Sequence, residues 1–388
     1  MHGIDYGIVL AMTGYDFNER PFVVIWEITR ACSLVCRHCR AAANVHRHPL
    51  ELTTAEGFRL IDQVVRARPA LFILTGGDPV RRPDLESLVA YAAQRGVRVG
   101  LSPSATPEFV AKDFSALKRA GVARISLSLD GATRESHDEF RGVPGTWDWT
   151  MQAIARAREA GLELQINTTV TRQNLDEFDG FVERLADIQP AMWSVFQLVP
   201  TGRGQVNDLL DADAMEALFH KLYRLSKTVA YDIKTTEGHH YRRVVLQQEK
   251  MHGGHRASAA RTGTVPGPLS GFGKARAPLG INDGKGFVFV SHLGEIHPSG
   301  FLPITPGNVR THELLEVYQQ SPVFRELRDT RLLKGKCGRC EYKNICGGSR
   351  ARAYALTGDY LGEEPLCAYQ PGGRPGTAEP EAAVAATA

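Results

Sequence analysis

The sequence predicts an α/β fold built on a parallel sheet, and three observations predict it. Apolar runs of strand length recur six times between residues 22 and 199. Amphipathic stretches of helical period separate them, several stopped by glycine, as at Gly96, Gly121 and Gly161. The composition, 43% hydrophobic and 23% charged over 388 residues, is that of an ordinary globular chain long enough for one large or two medium domains. Strands joined in this way by helices pair in parallel through right-handed crossovers and carry their functional loops at the strands' C-terminal ends. A barrel and a doubly wound sheet both satisfy the alternation.

Residues 1–20 carry little pattern and read as a lead-in. The strand-like runs are 22–29, Leu71–Leu74, Val97–Leu101, Arg124–Leu129, Leu162–Ile166 and Trp193–Val199. The first helix starts at the capping box Thr53-Thr-Ala-Glu56 and places Phe58, Ile61 and Val65 on one side. Further helices are expected over 84–95, 107–120, 147–160 and 175–188, which makes 21–205 one repeating unit. After Pro200-Thr-Gly-Arg-Gly204 the pattern changes: a helix over 211–227, a strand at Tyr231–Thr235 and a helix over 240–251 extend that unit through 206–251. Residues 252–284, rich in Gly, Ala, Arg and Pro, read as a mobile loop. Strands at 286–291 and 295–298, joined across Leu293-Gly294, form a hairpin at the start of a segment spanning 285–370. A helix over 311–328 follows, and 371–388 is a Pro/Gly/Ala tail expected to be disordered.

The net charge of +3 is too small, and the basic residues too scattered, for nucleic-acid binding. No run of about 18 uncharged apolar residues occurs, and the start Met1-His-Gly-Ile-Asp lacks the features of a signal peptide, so a cytoplasmic protein with no membrane partner is expected. The seven cysteines form two groups, Cys32, Cys36, Cys39 and Cys337, Cys340, Cys346, Cys367. In a reducing compartment such grouping favours metal binding over disulfides.

Cys32-Ser-Leu-Val-Cys36-Arg-His-Cys39 follows the first strand at C-x3-C-x2-C spacing. Three thiolates on one loop can hold three irons of a [4Fe-4S] cube and leave the fourth open to a guest ligand. Structural zinc, the competing reading, prefers four closed ligands in paired knuckles. The loop resembles the signature of the radical S-adenosylmethionine (SAM) enzymes in spacing, in placement after the first strand, and in the ring residue His38 before the third cysteine. The resemblance implies a partial (β/α)6 barrel, a cluster whose open iron chelates SAM, and reductive cleavage of SAM to a 5'-deoxyadenosyl radical. It also implies an electron donor such as ferredoxin or flavodoxin. Thr75-Gly76-Gly77-Asp78-Pro79 resembles the family's GGE motif, which binds the SAM amino group, with Asp78 in place of glutamate. Ser126-Leu-Ser128-Leu-Asp130-Gly131 stands where the family has a Ser-x-Asp near the ribose, and Arg141 of Phe140-Arg141-Gly142 would pair with the SAM carboxylate. Asn167 and Leu198 would line the ribose and adenine side, although barrel packing explains them nearly as well.

The second group, C-x2-C-x5-C followed by the distant Cys367, resembles one auxiliary cluster of the SPASM domain found C-terminal to many radical SAM barrels. The ligands of a second auxiliary cluster are absent together: Ser299 and Arg350 stand at two of their places, and 300–336 contains no cysteine. Two [4Fe-4S] clusters in all are therefore expected, in a shortened SPASM or Twitch-like domain. Glu237-Gly-His239-His240-Tyr241-Arg242-Arg243 could ligate a porphyrin iron and clamp propionates, while an amphipathic helix with an exposed basic face explains the same residues. His292 and His297 are weaker candidates. Segments such as Trp26-Glu-Ile-Thr-Arg-Ala-Cys32 and Leu74-Thr-Gly-Gly-Asp-Pro79 look most like the heme-biosynthesis branch, which oxidatively decarboxylates tetrapyrrole propionates. A maturase cross-linking a ribosomally made peptide is the alternative within the family, and a non-catalytic iron-sulfur electron carrier the alternative outside it.

Overall fold

The computed structural model describes residues 15–251 and 280–372. Residues 1–14 of the lead-in, 252–279 of the expected loop and 373–388 of the expected tail lie outside the described residues. Ten strands form one sheet: β1 (Val23–Glu27), β2 (Leu71–Thr75), β3 (Val99–Leu101), β4 (Val122–Ser128), β5 (Glu163–Val170), β6 (Met192–Gln197), β7 (Asp232–Thr236), β8 (Phe287–Val290), β9 (Glu295–His297) and β10 (Gly307–Asn308). Their order is β10-β9-β8-β1-β2-β3-β4-β5-β6-β7.

From β1 to β7 each strand pairs in parallel with the next. Right-handed crossovers that always step the same way lay every helix on one face, and a sheet so covered curls with its bare face inside. A doubly wound sheet would instead reverse direction at its first strand. The chain is thus an open α/β barrel, with the run over 231–235 forming a seventh parallel strand. β8 then returns to the other side of β1, again in parallel, and leads into the antiparallel β9 and β10.

Side-chain alternation shows the two faces. Val24, Trp26, Phe72, Leu74, Ile125, Leu127, Ile166 and Val195 are buried in the core under the helices. Their neighbours Ile25, Ile73, Thr75, Ser126, Ser128, Asn167, Thr169 and Phe196 point the other way and are half-buried. A parallel sheet covered on both faces reads as continuously apolar. The polar residues on this inner face therefore mark a lumen.

Three helices differ from expectation. The stretch 107–120 is two helices, Pro107–Val110 and Phe114–Ala120, because Asp113 turns the chain and caps the second by accepting the Ala116 N–H at 3.0 Å. The stretch 311–328 is divided into Leu314–Gln320 and Pro322–Arg328, since Pro322 has no N–H to continue the first helix. A helix not foreseen, Arg134–Arg141, starts at a capping box between Thr133 and Ser136 and stops at Gly142, whose φ is 75°.

Candidate functional site

The cysteine loop leaves the C-terminal end of β1 and is tied down by its backbone: the Cys32 N–H donates to the Asn44 carbonyl at 2.7 Å. Cys32 and Cys36 are buried and Cys39 is half-buried. N–H groups already face two sulfurs, Leu34 to Cys32 Sγ at 3.4 Å and Ala43 to Cys39 Sγ at 3.4 Å, and the Ser104 hydroxyl lies 3.5 Å from Cys32 Sγ. Burial pushes the Cys36 thiol up to about 11 and raises that of Cys32. Such thiols keep their protons unless a metal cation takes their place. N–H···S bonds of this kind suit metal-bound thiolates, so the donor set fits an iron-sulfur cluster.

Glycines hold the loop from three sides. A side chain at Gly76 would strike the Thr29 carbonyl at 2.5 Å, one at Gly77 the Arg30 and Ala31 carbonyls at 2.6 Å, and one at Gly202 the Cys39 and Arg40 carbonyls at 2.3 Å. The Gly77 N–H bonds the Thr29 carbonyl at 2.8 Å and the Asp78 N–H bonds the Ala31 carbonyl at 2.7 Å. Gly77→Ala is therefore expected to push the cysteine loop off the β2 turn. It should lower the unfolding free energy by about 1–3 kcal/mol, as overpacking does, with iron loss on gel filtration reporting the displacement.

Asp78 is fully buried, with Oδ2 accepting from the Thr106 hydroxyl at 2.8 Å and Oδ1 from the Ser104 N–H at 3.3 Å. Burial raises its carboxyl to about 6. The side chain thus joins the β2 turn to the loop after β3. Arg141 is buried and donates to Asp130 Oδ2 at 3.0 Å, and Asp130 Oδ1 accepts the Thr169 N–H at 2.8 Å. Burial opposes the Arg141 charge, but Cys36, Asp130 and Cys32 beside it raise its pKa. His38 packs on Phe140 at 4.7 Å, and its Nδ1 is buried without a partner. Burial lowers the His38 ring to about 4. Ser128 pairs in register with Asn167 on the inner face, whereas Leu198 is buried just beyond β6.

Three residues that sequence reasoning missed complete this end of the barrel. Arg203 donates from Nε to the Cys36 carbonyl and from Nη1 to the Ala43 carbonyl, both at 2.8 Å. Its sequence signal was the Pro200–Gly204 segment after β6. Glu27, at the end of β1, accepts from Arg40 Nη2 at 2.7 Å and lies 3.0 Å from His292 Nδ1. Burial would raise the Glu27 carboxyl, but Arg40, His292 and Arg30 outweigh it and hold it at about 2. Arg40 also lies over the Phe289 ring at 4.6 Å. His297 is spent on the hairpin, with Nδ1 bonding the Ile304 carbonyl at 3.0 Å.

Cys337, Cys340, Cys346 and Cys367 line one pocket together with His240 and Arg243. N–H groups of Glu364, Tyr342 and Gly348 face Cys337, Cys340 and Cys346 Sγ at 3.2, 3.4 and 3.4 Å. Zinc draws its thiolates to about 2.3 Å around one point. Among the described residues no group of three or more His, Cys, Asp or Glu side chains, in either cysteine group, is already closed around a single metal-ion position. Arg350 is buried, with Nη2 3.8 Å from Cys337 Sγ, and Ser299 is buried on the hairpin.

The residues 237–243 do not form an exposed basic face. Glu237, His239, His240, Tyr241 and Arg243 are all buried, because the segment carrying the second cysteine group packs over them. His240 Nε2 lies 3.1 Å from Met215 Sδ, Arg243 is engaged by both oxygens of Glu216, and Arg242 donates to the Ile345 carbonyl at 3.0 Å. Arg352 joins the same region to the barrel: it donates to both Glu364 oxygens at 2.9 Å, to the Leu198 carbonyl at 3.2 Å and to the Glu237 carbonyl at 2.8 Å. No helix among the described residues is long and apolar enough to cross a membrane.

The family described as the Radical SAM superfamily matches residues 26–185. An AdoMet-dependent heme synthase of Methanosarcina barkeri is 41% identical, over 94% of this chain and 99% of its own length. The mycofactocin maturase MftC of Mycolicibacterium smegmatis is 30% identical, over 90% of this chain and 83% of its own. Among solved structures, Streptococcus suis SuiB bound to precursor peptide SuiA superposes with a TM-score of 0.67 at 16% identity, over 93% of this chain and 78% of that one.

Proposed function

The chain belongs to the radical SAM superfamily, and on that premise we propose that it oxidatively decarboxylates propionate side chains of a tetrapyrrole to vinyl groups, as a heme synthase. The observation that carries this reading is the near full-length likeness to a heme synthase at 41% identity, against 30% for the mycofactocin maturase. In this reading Cys32, Cys36 and Cys39 hold the SAM-binding [4Fe-4S] cluster. Bound there, the cluster supplies the electron that cleaves SAM to the radical which removes a hydrogen atom from the substrate.

The chain's own residues position and enclose. In this reading Gly76, Gly77, Asp78, Ser128 and Arg141 would orient SAM, with His38, Asn167 and Leu198; the contacts of Gly76, Gly77 and Asp78 with the start of the cysteine loop support it. Arg203 and the glycine contacts keep the loop rigid, so that the hydrogen donor meets the radical in one geometry. Cys337, Cys340, Cys346 and Cys367 would hold an auxiliary [4Fe-4S] cluster, supported by four thiols around one pocket and three N–H groups aimed at sulfur. We assign residues 21–205 to the barrel, 206–251 to its extension and 285–370 to a SPASM/Twitch-like auxiliary-cluster domain. Conversion of –CH2–CH2–COO⁻ to –CH=CH2 releases CO2, one hydrogen atom and one electron, so the reaction also needs an electron acceptor. A ferredoxin or flavodoxin is proposed as donor for SAM cleavage.

The test is anaerobic incubation of the reduced, cluster-loaded protein with SAM and Fe-coproporphyrin III, followed by mass spectrometry of porphyrin and nucleoside. Stepwise loss of CO2 plus two hydrogens, one of them appearing in 5'-deoxyadenosine and the other balanced by the charge change of the carboxylate, is expected. 5'-Deoxyadenosine formed over an unchanged porphyrin would refute the tetrapyrrole reading and favour a peptide substrate, the reading to which the maturase relative points.

A further inference from the structure

Lys234 stands mid-way along β7 and is solvent-exposed, although protein surrounds it. The pairing register places it in one row across the inner face of the sheet, Ser128–Asn167–Ser194–Lys234, each residue opposite the next. Neighbouring strands lie about 4.8 Å apart, so the row spans about 14 Å from Ser128, at the proposed SAM side, to Lys234. That is a reach for a macrocycle bearing propionate arms rather than for one amino-acid side chain. β7 ends the sheet order, so the row ends at the open side of the barrel.

The charge around Lys234 is one-sided. Its pKa is lowered to about 8 by burial first, and then by Arg124 and Arg242. Arg242 likewise lowers Lys285, just before β8, which burial also depresses. The nearby carboxylate of Glu163 is already taken by Arg124 and Arg98. Asp232, on the same strand, lines a pocket at the N-terminal ends of the strands together with Arg124, Arg158, Glu163 and Gln189, and Lys234 does not line it. Among the described residues Lys234 has neither a salt-bridge nor a hydrogen-bond partner. A strand that sets an ammonium group among other cations, open to the lumen, has a site for an anion.

We propose that Lys234, with Arg242 adding to its field, binds a substrate carboxylate within the barrel lumen. Resting on the tetrapyrrole reading, this assigns it a propionate held away from the reacting one. Arg would be the usual choice for a planar clamp, but a lysine serves as a point charge for a carboxylate that must be released after reaction.

The experiment titrates Fe-coproporphyrin III into cluster-loaded wild-type, Lys234→Gln and Lys234→Arg proteins and reads the Soret band. Lys234→Gln is expected to bind roughly tenfold or more weakly, the loss of a charge-assisted bond, and Lys234→Arg to recover most of that loss. The porphyrin tetramethyl ester, which has no carboxylates, should bind wild type and Lys234→Gln alike, a result that a merely structural lysine would not give. If Lys234→Gln binds the tetra-acid as tightly as wild type, the lysine assignment is overturned while the tetrapyrrole reading stands. If wild type neither binds nor converts the porphyrin, both fall together.

Discussion

Cys36→Ala is expected to yield no 5'-deoxyadenosine from SAM, while Cys340→Ala still yields some, uncoupled from product. Cys36 is buried in the loop after β1, and its carbonyl is held by Arg203. A cube held by two thiolates and lacking its third is lost or unreactive. Cys340 lines a different pocket, near His240 and Arg243, which shares no cysteine with the first. Iron and sulfide analysis should show each variant losing about one cluster's worth, and chromatography of the nucleoside should separate them. Wild-type amounts of 5'-deoxyadenosine from Cys36→Ala would remove the catalytic assignment of the first loop.

Glu364→Ala is expected to cost about 3–5 kcal/mol of folding free energy, the scale for stripping one partner from a buried ion pair. Arg352 and Glu364 are both fully buried, and the Arg352 guanidinium would be left with only the carbonyls of Leu198 and Glu237. Glu364 also accepts the Ser349 N–H at 2.8 Å, so the helix Arg350–Thr357 would lose a bond near its start. Denaturant unfolding under anaerobic conditions measures the loss; a change below about 1 kcal/mol would mean that solvent reaches the pair. Burial tends to raise the Glu364 carboxyl, but Arg352 and His240 outweigh it and bring it to about 2 from an ordinary 4.5. Since the folded value is the lower one, this stabilisation is complete above about pH 4.5 and disappears as pH falls through 2.

What the chain reveals before folding depends on how far apart the partners are. The cysteine spacing, the glycine pair and the strand–helix alternation are local patterns, and each stands in the structure where the sequence puts it. Arg203 holding the Cys36 carbonyl and Arg40 holding Glu27 are contacts between distant segments, and no local pattern announces them. The residues 237–243 are largely buried rather than exposed for a related reason. Their charge pattern describes the helix, but the segment that covers it begins about a hundred residues later, as the Arg242–Ile345 contact shows. Asp78 shows the reverse case: its position after two glycines was legible, while its bond to Thr106 depends on how β3 is placed beside β2.

Of the described strands β1 is the first to be synthesised, and its two neighbours arrive at very different times. β2 follows within fifty residues, but Val23 pairs on its other side with Phe287, more than two hundred and fifty residues on. Until β8 emerges, one edge of β1 is a row of unpaired N–H and C=O groups, open to another chain. Contacts of such long sequence separation form slowly, because loop closure precedes the gain from pairing. His292, immediately after β8, is also the residue that meets Glu27 at the base of the cysteine loop. About three-quarters of the 388-residue chain is therefore synthesised before this end of the barrel is complete, and a chain cut short of β8 is exposed to aggregation.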